Sequence, residues 1–351
     1  MSQLTKEKRE VRKLQVTGGS TFILSLPKEW IIKTGLVKGS HLNLEMQDNG
    51  CILLIPEGSE KTEKPSEAII KISPNEAPDF VIREIVSAYL VGYNVIYLRA
   101  KNGRLDLAQR NTIKDFTRKM LVGTEIIADS PSEVLMKVLL SYPELSVQSV
   151  LRRMCIISAS MHKDVIKALK ELNRELAQEV IAMDDEVDRF SLYIIRQLKA
   201  AVEDEKIIKE IGLTARRDCL GYRLVTKAVE RTADHAVEIA ENVLMLKKPL
   251  EIELYEQIEA MSVSATTIFD EAMETLFKKD FQLANNIVQK AKQAASLRKE
   301  LMKIILKRTD IGEVSSLSLI IESITRAVQY ASDIAEIVLN MNVNQILIDR
   351  D

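Results

Sequence analysis

This sequence predicts a multidomain chain in three parts: a small β-rich head, a small α/β middle region and an all-α body of two similar three-helix halves. Three patterns carry that prediction. Short apolar segments broken by Gly and Pro fill residues 8–58. Strand-like and helix-like segments alternate over 67–145. From about residue 147 onward the apolar positions keep a three-four spacing, interrupted only by Pro249.

The head spans 1–58. Val11, Leu14 and Val16 alternate weakly, and Gly18-Gly19 marks a turn into the strand-like Phe22–Leu26, which Pro27 stops. Lys28–Thr34 suits one or two helical turns, with Pro27 at the first helical position and Gly35 at the end. His41–Met46 alternates, Asp48-Asn49-Gly50 signals a hairpin, and Cys51–Ile55 returns before Pro56. Trp30 is the natural anchor for this unit's core. Four short strands enclose little on their own, so intertwining with a second copy would complete the fold.

Glu57–Ser66 is a polar linker. In the middle region, 67–145, strands are expected at Ile69–Ile72, Asn94–Leu98 and Thr124–Ala128, with helices at Asp79–Val91 and Leu105–Met120. No glycine-rich phosphate loop is present.

The body divides into 147–246 and 251–345. Shifting the first half by 107 residues places Met154 on Met261, Leu169 on Leu276, Leu176 on Leu283, Ala177 on Ala284 and Leu198 on Ile305. Asn173 falls on Asp280, and both residue types cap helix N-termini. Duplication of a three-helix unit is the reading, with helices near 147–171, 174–202 and 214–245, then 252–279, 281–307 and 314–342.

Net charge is −2, yet residues 1–40 hold eight Lys/Arg against three acids, which leaves −7 for the rest. A basic head on an acidic body directs only the head toward a polyanion. Three scattered cysteines (Cys51, Cys155, Cys219) suit reduced thiols in a cytoplasm better than a disulfide framework. The longest apolar runs, such as Cys51–Ile55, are far short of a membrane span.

Acids cluster in the first half. Asp184 and Asp188 stand one turn apart with Asp185 between them, and Glu230 and Asp234 repeat the spacing on the third helix. Carboxylates converging from two helices would hold a divalent cation (iron, manganese, zinc or magnesium) through oxygen ligands; a solvated acidic face is the alternative. In the second half Asp184, Asp185 and Asp188 meet Ala291, Lys292 and Ala295, while Gln329 and Asp333 stand nearest to the other pair, so one site at most is expected. His162, beside Met161, reads as a residue at the boundary of the core. Cys155 and Cys219 have no neighbouring His in sequence, and no Gly-x-Ser-x-Gly elbow occurs, so an enzyme is not expected. Arg216-Arg217 leaves an anion site open against ordinary solvated charge.

Residues 9–58 resemble the swapped-hairpin AbrB/MazE DNA-binding family through Arg12-Lys13, Gly19-Ser20, Ser25-Leu-Pro-Lys-Glu-Trp30, Gly35-Leu36, Lys38-Gly39 and the strand Cys51–Pro56. The resemblance implies half of a β-barrel completed by a second chain, and a basic face on double-stranded DNA formed by Arg12, Lys13 and Lys28, with Arg9 and Lys33 beside them. Residues 147–345 are similar to the PhoU phosphate-uptake regulators through Glu230-Arg-Thr-Ala-Asp234-His-Ala and Ile239-Ala-Glu241. That similarity implies two three-helix repeats able to hold metal on such acids; in the second repeat Gln329 replaces the acid and Tyr330 the arginine. The combination resembles archaeal phosphate-uptake regulators. It implies a cytoplasmic, homodimeric transcriptional regulator of phosphate uptake. The alternative is an adaptor docking on a phosphate transporter or kinase, with a head that only dimerises.

Overall fold

The structure, a computed structural model, describes residues 10–46, 50–57, 67–139 and 145–347, the side chains of 295 and 296 excepted. It forms two compact units, a head up to residue 64 and a body from 65 onward.

In the head, β1 (Gln15–Thr17) pairs antiparallel with β2 (Thr21–Ile23) across Gly18-Gly19. Both glycines have positive φ (63° and 86°), which a side chain would strain. The helix α1 (Lys28–Thr34) is capped by Pro27, which therefore stands one position before the first helical residue, and it ends at a left-handed Gly35. A second hairpin pairs β3 (Leu42–Met46) with β4 (Ile52–Pro56). The expected Asp48-Asn49 turn lies outside the described residues.

No described residue of the head is buried, and Trp30 is only half-buried. Val11, Phe22, Ile32 and Val37 are each more than 60% exposed. Trp30 thus anchors no closed core within one chain, because four short strands cannot wrap it.

The body begins with a mixed sheet of β5 (Glu67–Ile72), β6 (Val95–Ala100), β7 (Thr124–Asp129) and β8 (Glu133–Val138) in the order β5-β6-β8-β7. β5 and β6 run parallel, and the other pairings are antiparallel. β8 was not expected from the sequence. It inserts between β6 and β7, directing Val134 and Met136 inward. One face of the sheet packs on α2 (Pro78–Val91) and α3 (Leu107–Met120), burying Ile72, Ile85, Ile96, Leu98 and Ile113.

The six long helices are α4 (Val147–Glu171), α5 (Arg174–Glu203), α7 (Asp218–Met245), α8 (Ile252–Lys278), α9 (Phe281–Ile305) and α10 (Ile311–Met341). A short α6 (Glu205–Glu210) between α5 and α7 is additional. Helices α4, α5 and α7 form one bundle and α8, α9 and α10 the other; they join along α7–α10 and α4–α8. Where α7 meets α10 the approach is so close that a Cβ on Gly221 would clash with Met341 Sδ.

The duplication is visible in the backbone. Leu172 and Lys279, 107 residues apart, are the two non-glycine residues with positive φ among those described, and each closes the first helix of its half. The next residues, Asn173 and Asp280, accept hydrogen bonds from the amides of Leu176 (3.1 Å) and Leu283 (2.9 Å). Met154 and Met261, Ala177 and Ala284, and Leu198 and Ile305 are buried in pairs. His162 is buried rather than at the core boundary: its Nε2 meets the Thr232 carbonyl at 2.8 Å, and Phe269 occupies the equivalent place.

The middle region is tied to the first bundle by Arg196 on α5. This buried guanidinium lies over the Tyr89 ring and donates to the carbonyls of Tyr89, Gly92 (3.1 Å) and Tyr93 (3.0 Å) and to Asn94 Oδ1 (2.6 Å). The Tyr89 carbonyl also accepts from the Gly92 N–H, so the guanidinium gathers the carbonyls of the last turn of α2 and of the chain leaving it.

Candidate metal centre

The rim of α5 faces α7, and there Asp184, Asp188 and Asp234 each bring a carboxylate oxygen within 4.8 Å of the others. Asp184 and Asp188 meet because four residues make about one helical turn. Asp234 comes from α7 because α5 and α7 pack along their length. Asp184 Oδ1 is buried and has no hydrogen-bond partner among the described residues.

Three like charges so close disfavour full ionisation. Burial, then the charges of Asp188, Asp234 and Glu230, pushes Asp184 up to about 7. Asp188 rises to about 6, through burial and then Glu230 and Asp234. Asp234 is raised as well, again chiefly by burial and then by Glu230. Without a cation the cluster therefore retains protons near neutrality. Three oxygen donors and a buried, unpaired lone pair fit a hard divalent ion completed by water.

Asp185 lies about 100° further round α5 and pairs with Lys119 of α3. Glu230 pairs with Lys227 three residues earlier and is not one of the three converging oxygens, yet it stands beside them: its charge is the strongest acting on Asp188 and Asp234. Neither lysine was legible as a partner of these acids: Lys119 is remote in sequence, and an i, i+3 Lys–Glu pair is common on any helix.

Beside the cluster, His235 bridges the two bundles. Its Nδ1 is 2.9 Å from Glu238 Oε2 and 3.2 Å from Ser323 Oγ on α10, and its ring stacks on Tyr330 with centroids 5.7 Å apart. In the second bundle the corresponding place holds a buried Ala291, with Gln329 and Asp333 exposed. The acids at 184, 188 and 234 are the one such group among the described residues.

In the head, Arg12 pairs with Glu10, and Lys13, Lys28 and Lys33 are exposed, with Arg12 and Lys13 just before β1 and Lys28 opening α1. Arg9 lies outside the described residues. The cysteines are all free: Cys155 and Cys219 are buried and Cys51 is exposed. Burial drives the Cys155 thiol far above the ordinary range, which leaves it inert as a nucleophile. No helix among the described residues is long and apolar enough to cross a membrane.

Residues 151–243 and 258–338 match the family described as PhoU domain, and residues 15–62 match the family described as Antidote-toxin recognition MazE, bacterial antitoxin. The chain is 23% identical over 187 residues to the phosphate-specific transport system accessory protein PhoU homolog 1 of Thermotoga maritima, covering 52% of this chain and 78% of that one. It is 25% identical over 173 residues to the PhoU homolog of Aquifex aeolicus, covering 47% and 74%. The crystal structure of the phosphate transport system regulatory protein PhoU from Streptococcus pneumoniae superposes with a TM-score of 0.50 at 18% identity, over 58% of this chain and 96% of that one.

Proposed function

From a chain that carries a MazE/AbrB-like head and two PhoU domains, we propose a cytoplasmic, DNA-binding regulator of phosphate uptake that acts as a homodimer. The observation that carries this reading is the coreless head. None of its described apolar side chains is buried and many are exposed, while Arg12, Lys13, Lys28 and Lys33 stand at the surface. A second head would cover that apolar surface and double the number of basic groups offered to one duplex. The body senses phosphate status or docks a partner; the reading is regulatory and calls for no catalysis.

If the dimer neutralises roughly six to eight phosphates, log affinity falls with log salt at a slope near −5 to −7. Arg12→Ala with Lys13→Ala flattens that slope by about 4 when both residues contact phosphate in both chains. An unchanged slope removes these two residues from the interface. Absence of binding to any duplex at low salt favours the second reading, an adaptor on a phosphate transporter or kinase, which the relatives' description as transport-system accessory proteins supports.

Within the first PhoU domain we propose that Asp184, Asp188 and Asp234 hold a divalent cation. All-oxygen donors favour magnesium, manganese or iron over zinc, whose structural sites prefer nitrogen and sulfur. The ion would replace the protons and bind α5 to α7.

A further inference from the structure

α2 and α3 cover one face of the middle sheet and themselves pack on α5. On the opposite face Ile69 is exposed, and no helix among the described residues packs extensively on it. Its side chains fall into three rows, read from the strand registers. The central row is apolar: Ile69, Tyr97 and Leu135, then Ala128 on the edge strand, with Ile69 53% exposed. One flanking row carries Glu67, the buried Val95, Lys137 and Glu125; the other carries Lys71, Arg99 and Glu133, with the Arg99 guanidinium lying over the Tyr97 ring. Glu67, Lys71 and Lys137 have no ion pair within 4 Å among the described residues, whereas Glu133 is held by Arg99.

We propose that this face packs on the same face of a second copy. A two-fold axis along the central row, perpendicular to the strands, lays each strand antiparallel over its own counterpart, which suits aligned sheet packing. Ile69 and Leu135 then meet their own copies, and Tyr97 faces its copy with Arg99 stacked on its ring. The same operation sets Glu67 over the second copy's Lys71 and Lys137 over its Glu133, so each of these charges meets its opposite. The order of charges along β5 and along β8 makes these two strands self-complementary, while Arg99 of β6 faces Val95 of the copy and keeps its own Glu133 as partner.

Four strands about 4.8 Å apart and five residues deep cover roughly 300 Å² of sheet per partner, well under the ~800 Å² of a stable interface. The contact therefore depends on a tether that raises the local concentration, and here it rests on the proposed head dimer.

The test is site-directed oxidation of the full chain carrying Cys51→Ser, which removes the exposed thiol, and Ile69→Cys. The expected result is a disulfide-linked dimer. The same background with Leu107→Cys, 70% exposed on the helix-covered side of the sheet, gives none. Lys71→Glu added to the Ile69→Cys chain lowers the yield roughly fivefold by opposing like charges, and adding Glu67→Lys restores it. Suppose the chain sediments as a dimer, but the Ile69→Cys variant forms no link or the Leu107→Cys variant links equally well. Either result overturns the sheet contact and leaves the head dimer standing. A chain that sediments as a monomer overturns both.

Discussion

The two PhoU domains share a frame and differ at the acid cluster. Both close their first helix with a left-handed residue, both cap the second with an Asx side chain, and both bury the same apolar ladder. In the first, α5 and α7 converge three carboxylates; in the second, α9 supplies a buried Ala291 where Asp184 would stand. The fold therefore forms without the acids. In the first domain they stand together at a cost in desolvation and repulsion, which the cation proposed there would offset.

The largest effect expected from breaking this difference comes from Ala291→Asp. It places a carboxylate in a buried spot where, of the positions matching the first domain's cluster, only Asp333 is another acid, too few donors to hold a cation. A loss of about 3–5 kcal/mol in chemical denaturation is expected, unchanged by added metal. A loss below about 1 kcal/mol, the size of an ordinary surface change, would mean that the second domain tolerates the charge and that the two domains do not differ in what this position accepts.

The pH dependence should also separate the domains. His162 is buried and its pKa falls to about 4, mainly through desolvation, whereas an unfolded histidine titrates near 6.5. Its contribution is complete above pH 6.5 and is lost as pH falls toward 4, amounting to about 3 kcal/mol. Phe269 stands in the equivalent position and does not titrate. His162→Phe should flatten the stability curve between pH 6.5 and 4; a curve unchanged by the substitution would place the acid sensitivity elsewhere. In the metal-free chain the carboxyls act with the opposite sign. Asp184, raised to about 7, costs stability as pH rises from 4 to 7, an effect that solvent screening holds to about 1–2 kcal/mol.

A cation should remove that cost. Saturating manganese or magnesium at a hundredfold excess over the dissociation constant stabilises by about 2.7 kcal/mol. Melting of the full chain should respond to chelator and to metal. Asp234→Ala should abolish the response, and Asp333→Ala should leave it intact. Equal behaviour of the two variants would reduce the cluster to a solvated acidic rim.

The smallest expected effects are where the domains agree. Asn173→Ala and Asp280→Ala should each cost about 1 kcal/mol, through loss of the same side-chain bond to the third amide of the following helix. A difference of more than about 1 kcal/mol between them would show that one bundle depends on its cap far more than the other.

Six long helices, their caps and the 107-residue duplication were legible in the sequence because they depend on groups within a few residues of each other. Apolar spacing, Asn173, Asp280 and the Gly-Pro punctuation of the head act locally, and chain folding only confirms them. The five acids were legible as candidates, but their fates were not. Asp184, Asp188 and Asp234 converge because one side of α5 packs on α7, while Asp185, a single residue away, reaches Lys119 and Glu230 is held by Lys227. The insertion of β8 between β6 and β7, the burial of His162 and the capping of α2 by Arg196 were likewise settled in three dimensions. Each depends on which surfaces meet, and helix rotation and strand pairing are set by the packing of distant segments. Local residue order sets the pieces and their period. Packing chooses which charges share a site, because a turn of about 100° per residue separates neighbours along a helix while folding unites residues far apart in the chain.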